Sequence, residues 1–408
     1  MRSVCIYFQV HQPFRLRHYT FFDVGRSHEY EDEEQNRAIL KKVAAQCYLP
    51  ANKLLLELIR EHQGEFRIAF SISGTALEQF ERYSPAVLDS FKRLAETGGV
   101  EFLDETHYHS LSFLFSMKEF RDQVKGHRQR MRTLLGCSPA VFRNTELIYN
   151  NALAREVERL GYKVILAEGA DRILGKRSPN RIYRPAGCRT LRLLLKNHRL
   201  SDDIAFRFSN REWQGYPLTA QKFAGWVRHE ARTGDTVNLF MDFETFGEHQ
   251  WRSTGIFGFL RQLPAALLRH PDLRFHTPSE AARGHDPAGE IDVPEFTSWA
   301  DAERDVTAWI GNDMQKDSIH ALYELESKAR KAGNRDWLPV WRKLQTSDHF
   351  YYMSTKSFAD GEVHKYFNPY TSPYDAYINY MNVLSDLSER LDGAKAKVSP
   401  GSARRKPR

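Results

Sequence analysis

The chain has 408 residues, which points to two domains or one large barrel with an appendage and rules out a small disulfide-stapled scaffold. Hydrophobic residues at 41% and aromatic residues at 12% suffice for a sizeable core, which excludes a disordered chain. The net charge of +7 invites a nucleic-acid reading, but residues 391–408 hold six basic side chains against Asp392 alone. The body is then nearly balanced, and neither a nucleic-acid nor a membrane partner is expected.

The first apolar run, 4–10, is short and ends in the polar His11-Gln12-Pro13 without a small-residue cleavage site, so it does not read as a signal peptide. Similar runs rich in Val, Ile, Leu and Phe follow at 66–72, 100–103, 140–142, 163–167, 191–195, 237–241 and 273–275. Their nearly continuous hydrophobicity predicts strands covered on both faces. Between them, 36–61, 117–135, 151–160 and 219–232 carry apolar residues at helical spacing. This alternation predicts a β/α fold through about residue 280. None of the runs approaches the ~18 apolar residues of a membrane span. Cys5, Cys47, Cys137 and Cys188 lie far apart without metal-ligand spacing, which fits reduced thiols in a cytoplasmic protein.

Polar residues follow the predicted strands: His11, Ser73, Glu105, Glu146, Glu168, Asn197, Asp242 and Thr277. In parallel β/α folds the ligand sits at that end of the strands, although every strand must end in something polar. The turn-forming stretch 284–289 marks a boundary. Beyond it, 300–312, 319–332, 337–353 and 373–391 are aromatic-rich with helical period. The predicted organisation is a barrel over 1–285, an α-helical segment over 286–390 that contributes to the active site, and a disordered basic tail over 391–408.

Four clusters carry candidate chemistry. His11 closes the first strand, as a structural histidine or as a hydrogen-bonding group at a barrel mouth. Arg143 stands three residues before Glu146, where a guanidinium keeps a nucleophilic carboxylate ionised or simply forms a structural pair. Asp242, Glu244, Glu248 and His249 lie within eight residues, next to Phe243 and Phe246 that would desolvate a carboxyl group and raise its pKa, as a general acid requires. That composition also admits a hard cation or zinc, but without H-E-x-x-H spacing. Asp104 to His109 and Leu344 to Tyr352 set Asp and His beside aromatic planes, as a sugar face requires or as packing with a solvated edge.

The order His11-Gln12-Pro13, Asn144-Thr145-Glu146, Met241-Asp242-Phe243-Glu244-Thr245-Phe246-Gly247 and Phe275-His276-Thr277-Pro278-Ser279-Glu280 resembles glycoside hydrolase family 57. The α-amylase-like branch is the nearest match, and the likeness runs on through Gln345 to Tyr352. It implies a distorted (β/α)7 barrel followed by a C-terminal α-helical segment, and a retaining mechanism on α-glucans with neither metal nor cofactor. By this resemblance Glu146 matches the nucleophile, Asp242 the acid/base, His11 a donor-subsite residue and Asp348 a substrate-binding acid. His109, Arg143, Glu244 and His249 complete the expected substrate-binding set. Where some members have Trp seven residues after the acid/base, this chain has His249. Where several have Glu-Pro after the third strand, it has His109-Ser110. These departures leave hydrolysis, transfer and branching open. Two rivals remain at this level: a metal-dependent deacetylase or glycosidase on a related barrel, and a non-catalytic glucan-binding protein.

Overall fold

The computed structural model describes residues 1–332, 337–356 and 368–397. Seven parallel strands form a closed ring: β1 (Arg2–Val10), β2 (Ile68–Ile72), β3 (Val100–Leu103), β4 (Val141–Arg143), β5 (Val164–Glu168), β6 (Arg192–Lys196) and β7 (Thr236–Asp242). Regular ladders join β7 to β1, β1 to β2, β2 to β3, β4 to β5 and β5 to β6. Two joints are loose. β3 meets β4 only through Asp104, whose N–H donates to the Val141 carbonyl and whose carbonyl accepts from Arg143, both at 2.9 Å. β6 meets β7 where the Asn197 N–H donates to the Asn238 carbonyl at 2.9 Å and the Asn238 side chain donates to Leu195 at 2.8 Å. The eighth predicted strand, β8 (Leu273–Phe275), pairs only with the base of β1, so the ring keeps seven members. The distorted (β/α)7 barrel expected from the resemblance is therefore what the chain forms.

Strand alternation explains both the packing and the position of the site. Val4, Ile6, Phe8 and Val10 of β1 face the outer helices in the main apolar cluster. Cys5 and Tyr7 face inward with Ala69, Leu103, Val141, Val164, Leu166, Leu194 and Phe240. One layer higher the buried side chains turn polar, with Gln9, Ser71, Arg143, Glu168 and Lys196. The barrel is thus dry at its base and charged near its mouth.

The predicted helix over 36–61 is interrupted. Helices Glu33–Val43 and Leu49–Glu61 flank a π turn, Ala44–Tyr48, that swings Cys47 and Tyr48 toward the barrel mouth. Gly247 lies directly against this turn: its φ is +117°, and a Cβ there would sit 2.1 Å from the Gln46 carbonyl. The π turn and the loop carrying His249 therefore lock together.

After the barrel, helices run over Asp313–Glu324, Glu326–Lys331, Trp337–Lys343, Ser347–Tyr351 and Pro373–Lys397. Trp309, Trp341 and Tyr380 anchor their core, which also takes in Leu16, Tyr30 and Leu111 from barrel loops. The helix predicted over 300–312 is reduced to Thr307–Ile310. Asp305 accepts from the Thr307 N–H at 2.8 Å and starts the helix only there. Residues 391–397, expected to be disordered, instead continue the last helix, because Leu391 extends the buried stripe of Val383, Leu384 and Leu387. The remainder of the expected tail, 398–408, lies outside the described residues.

The helical segment is clamped to the barrel by charge. The fully buried Glu119 carboxylate accepts from Arg330 and, at 2.8 Å, from Arg342. Removing one partner of such a cluster leaves uncompensated charge. Glu119→Ala should cost about 3 kcal/mol or more, read as a lower urea midpoint at unchanged slope.

Candidate active site

At the mouth of the barrel, residues from both parts of the chain line one cleft, with about 1350 Å³ of empty space continuous with solvent. Glu146, Asp242, His11, His109, Glu244, His249 and Asp348 all lie on its wall. Arg143 does not. It is fully buried, the inward-facing last residue of β4, beneath the cleft, and so it cannot touch substrate as expected. Nor does it hydrogen-bond Glu146: among the described residues its guanidinium has no hydrogen-bond partner and stacks 4.8 Å from the Trp299 ring.

Glu146 sits in the short turn Thr145–Leu147 that follows β4, with φ +57° and ψ +24°. Leu147 at φ +51° and His109 at φ +50° share this left-handed conformation. A non-glycine residue there costs about 1 kcal/mol or more, and such strain persists only where the surroundings hold it. They do so here, since Thr106 and Thr145 hydroxyls bond at 2.8 Å and the Asn144 amide donates to Ile148 at 3.1 Å. The Glu146 carboxylate is gripped on both oxygens. Oε2 accepts from the Trp299 indole N–H at 2.8 Å, and Oε1 bonds His109 Nε2 at 3.1 Å and Ser347 Oγ at 3.4 Å.

Trp299 and Lys196 were not among the residues singled out from sequence. Trp299 follows the predicted domain boundary in a stretch with no strand or helix signal. Its ring lies within cation–π range of Arg143 and of Lys196, whose ammonium is 5.4 Å away. Lys196 ends β6 and bonds Asp202 at 3.0 Å, with Glu168 at 3.7 Å. The available signal for Lys196 is a lysine closing an apolar strand.

On the opposite side, Asp242 ends β7, and Glu244 follows in the turn Phe243–Thr245. Glu244 accepts from the Tyr48 hydroxyl, delivered by the π turn, and the Gln12 amide donates to that hydroxyl at 3.1 Å. Burial, followed by the neighbouring Asp242, pushes the Glu244 carboxyl up to about 8. Desolvation of the acid cluster was expected from its phenylalanine neighbours, and here it falls on Glu244.

His11 bridges the two parts of the chain. Its Nδ1 bonds Ser73 Oγ at 2.7 Å and its Nε2 bonds Asp348 Oδ2 at 2.8 Å. Burial and then the neighbouring His109 lower its pKa. Asp348 resists burial through His11 and is held well below the usual carboxylate range. Since the two act through one bond, His11→Ala and Asp348→Ala should each lower kcat/KM by about 10- to 150-fold, the value of a charge-assisted hydrogen bond. The double mutant should be no worse than the poorer single, which a double-mutant cycle reads directly.

Glu146 and Asp242, at the ends of separate strands, thus share one cleft at the mouth of a β/α barrel. The sequence profile described as glycosyl hydrolase family 57 matches residues 5–294. The chain belongs to this family. A protein of Methanocaldococcus jannaschii named "Putative alpha-amylase" is 44% identical over 407 residues, covering 96% of this chain and 85% of its own. A branching enzyme from Pyrococcus horikoshii has the same fold, with a TM-score of 0.68 at 14% identity over 98% of this chain and 92% of its own. A 4-α-glucanotransferase from Thermococcus litoralis matches with a TM-score of 0.66 at 15% identity over 86% of this chain, which spans 56% of that enzyme. Among the described residues no helix is long and apolar enough to cross a membrane.

Proposed function

We propose that this enzyme cleaves α-1,4-glucans with retention of configuration, Glu146 attacking the anomeric carbon and Asp242 serving as acid/base. The observation that carries this reading is the environment of Glu146. A strand-end carboxylate that accepts from the Trp299 indole N–H on one oxygen and bonds the His109 ring on the other is held at the cleft wall, and the N–H bond favours the anion that a nucleophile must be. Asp242 shares the cleft and protonates the departing oxygen, then activates water or an acceptor sugar. Glu244 and the pair of His11 and Asp348 bind sugar hydroxyls, with His249 on the same wall. Relatives named for α-amylase, 4-α-glucanotransferase and branching activity support an α-glucan substrate. Family membership favours this reading over a metal-dependent deacetylase or a non-catalytic binding protein. We also infer a cytoplasmic location from four unpaired cysteines.

Incubation with maltoheptaose, amylose and glycogen decides the matter in one assay. Chromatography separates short hydrolysis products, longer transfer products and new branches, and early NMR spectra should show the α-anomer. Release of the β-anomer first, or no turnover at all, would overturn the proposal.

A further inference from the structure

His109 lines the cleft, but neither of its ring nitrogens is available to a sugar. Nδ1 bonds Glu105 Oε2 at 2.8 Å and Nε2 bonds Glu146 Oε1 at 3.1 Å. An ionised carboxylate only accepts, so with two anions as partners both ring nitrogens must carry hydrogen. The alternative is that one of the acids holds the proton, and the contacts argue against it. Glu105 Oε1 accepts from the Gln9 amide at 3.3 Å, and Glu146 Oε2 accepts from Trp299. The outer oxygen of each acid is thus taken by an N–H, which favours the charged form of both acids and leaves the proton on the imidazole.

We propose that His109 is a positioning residue, an imidazolium clamp bridging Glu105 and Glu146 that keeps the Glu146 carboxylate charged and fixed in one orientation. The proposal rests on the reading of Glu146 as the nucleophile and names the group that maintains it.

The surrounding groups are consistent with a single charge at this point. Burial opposes it, but the bonds to Glu105 and Glu146 outweigh burial and raise the His109 pKa to about 9. Glu105, also resisting burial, is drawn down to about 2 by His109 and then Arg143. The His11 ring stacks on His109 with centroids 3.9 Å apart and planes at 22°. A second charge there would repel the first. His11 avoids it because Ser73 has a hydroxyl hydrogen to give to Nδ1, so neutral His11 still satisfies both nitrogens. Asp348 faces the stack from the helical segment, Arg143 lies beneath Glu105 in the barrel, and His127 lies behind it. The backbone is pinned as well: the His109 carbonyl accepts from the Ser347 N–H at 3.0 Å.

Removing the positive charge should make Glu146 easier to protonate, so the acidic limb of kcat/KM moves to higher pH. An opposite charge at hydrogen-bond distance shifts a carboxyl by about one unit or more. In His109→Gln and Glu105→Gln, profiles measured on maltoheptaose should show this limb displaced upward by about one pH unit. Above the limb the profiles should level off below the wild-type plateau, because the carboxylate also loses its fixed orientation. Glu105→Gln leaves the left-handed backbone at residue 109 untouched, so it serves if His109→Gln folds poorly. Nitrogen NMR of the ¹⁵N-histidine-labelled wild-type protein should show both His109 ring nitrogens protonated at pH 7, the resonance being assigned by its loss in His109→Gln.

A neutral His109 ring at pH 7, or a uniform loss of activity with the acidic limb in place, would overturn the clamp. The NMR result is independent of which residue attacks the sugar. An error about the nucleophile would appear separately: a ring-fluorinated glucosyl fluoride, on losing its anomeric fluoride, would leave its fluoroglucosyl group on a residue other than Glu146.

Discussion

Glu146→Ala should lower turnover of maltoheptaose by at least about four orders of magnitude while the protein stays folded. In the proposed mechanism the carboxylate forms the covalent bond to the sugar, and among the described residues no second acid lines the cleft at that strand end. Azide should restore part of the rate, because deleting the carboxyl leaves room for a small anion next to the Trp299 N–H and the His109 ring. The product identifies the role. An enzyme that retains the α configuration attacks from the β face, so azide in place of Glu146 should give a β-glycosyl azide. An α-glycosyl azide, or a folded variant that azide does not rescue, would remove Glu146 from the nucleophile's role.

For Asp242→Asn the expected loss depends on the leaving group. On amylose, where the departing oxygen needs a proton, kcat/KM should fall by about 10²- to 10⁴-fold. On α-maltosyl fluoride, whose fluoride leaves without protonation, formation of the glycosyl-enzyme should be nearly normal. A burst of fluoride followed by slow turnover is then expected, because the second step still lacks its base. Equal losses on both substrates would mean that Asp242 orients sugar rather than moves a proton. Glu244, two residues on, is the instructive control. Its carboxyl is raised by burial yet bonded to Tyr48 at the cleft wall, so Glu244→Gln should raise KM more than it lowers kcat.

The barrel was legible in the sequence because parallel strands covered on both faces announce themselves as apolar runs, and seven of the eight runs form the ring. The strand-end acids were legible for the same reason: each follows a run whose end is plain. What the sequence concealed depends on tertiary contact. The π turn at Ala44–Tyr48 keeps helical spacing on either side, so periodicity cannot reveal the extra residue that points Tyr48 at Glu244. Arg143 was read beside Glu146 because they are three residues apart, but strand alternation sends one into the core and the turn lifts the other into the cleft. Trp299 sits outside any periodic element, and only the folded chain brings its indole to an acid 153 positions earlier.

The grip on Glu146 is assembled from three separate stretches of chain: His109 after β3, Trp299 beyond the boundary and Ser347 in the helical segment. The helical segment is therefore not an interchangeable module. Grafting the corresponding segment of a relative to alter product length would also replace donors that hold the Glu146 carboxylate. Recombination within this family should accordingly tolerate crossovers in the outer helices far better than crossovers between residues 285 and 347. A chimera joined there inherits two histories for one functional group, and its reactivity becomes a property of the seam.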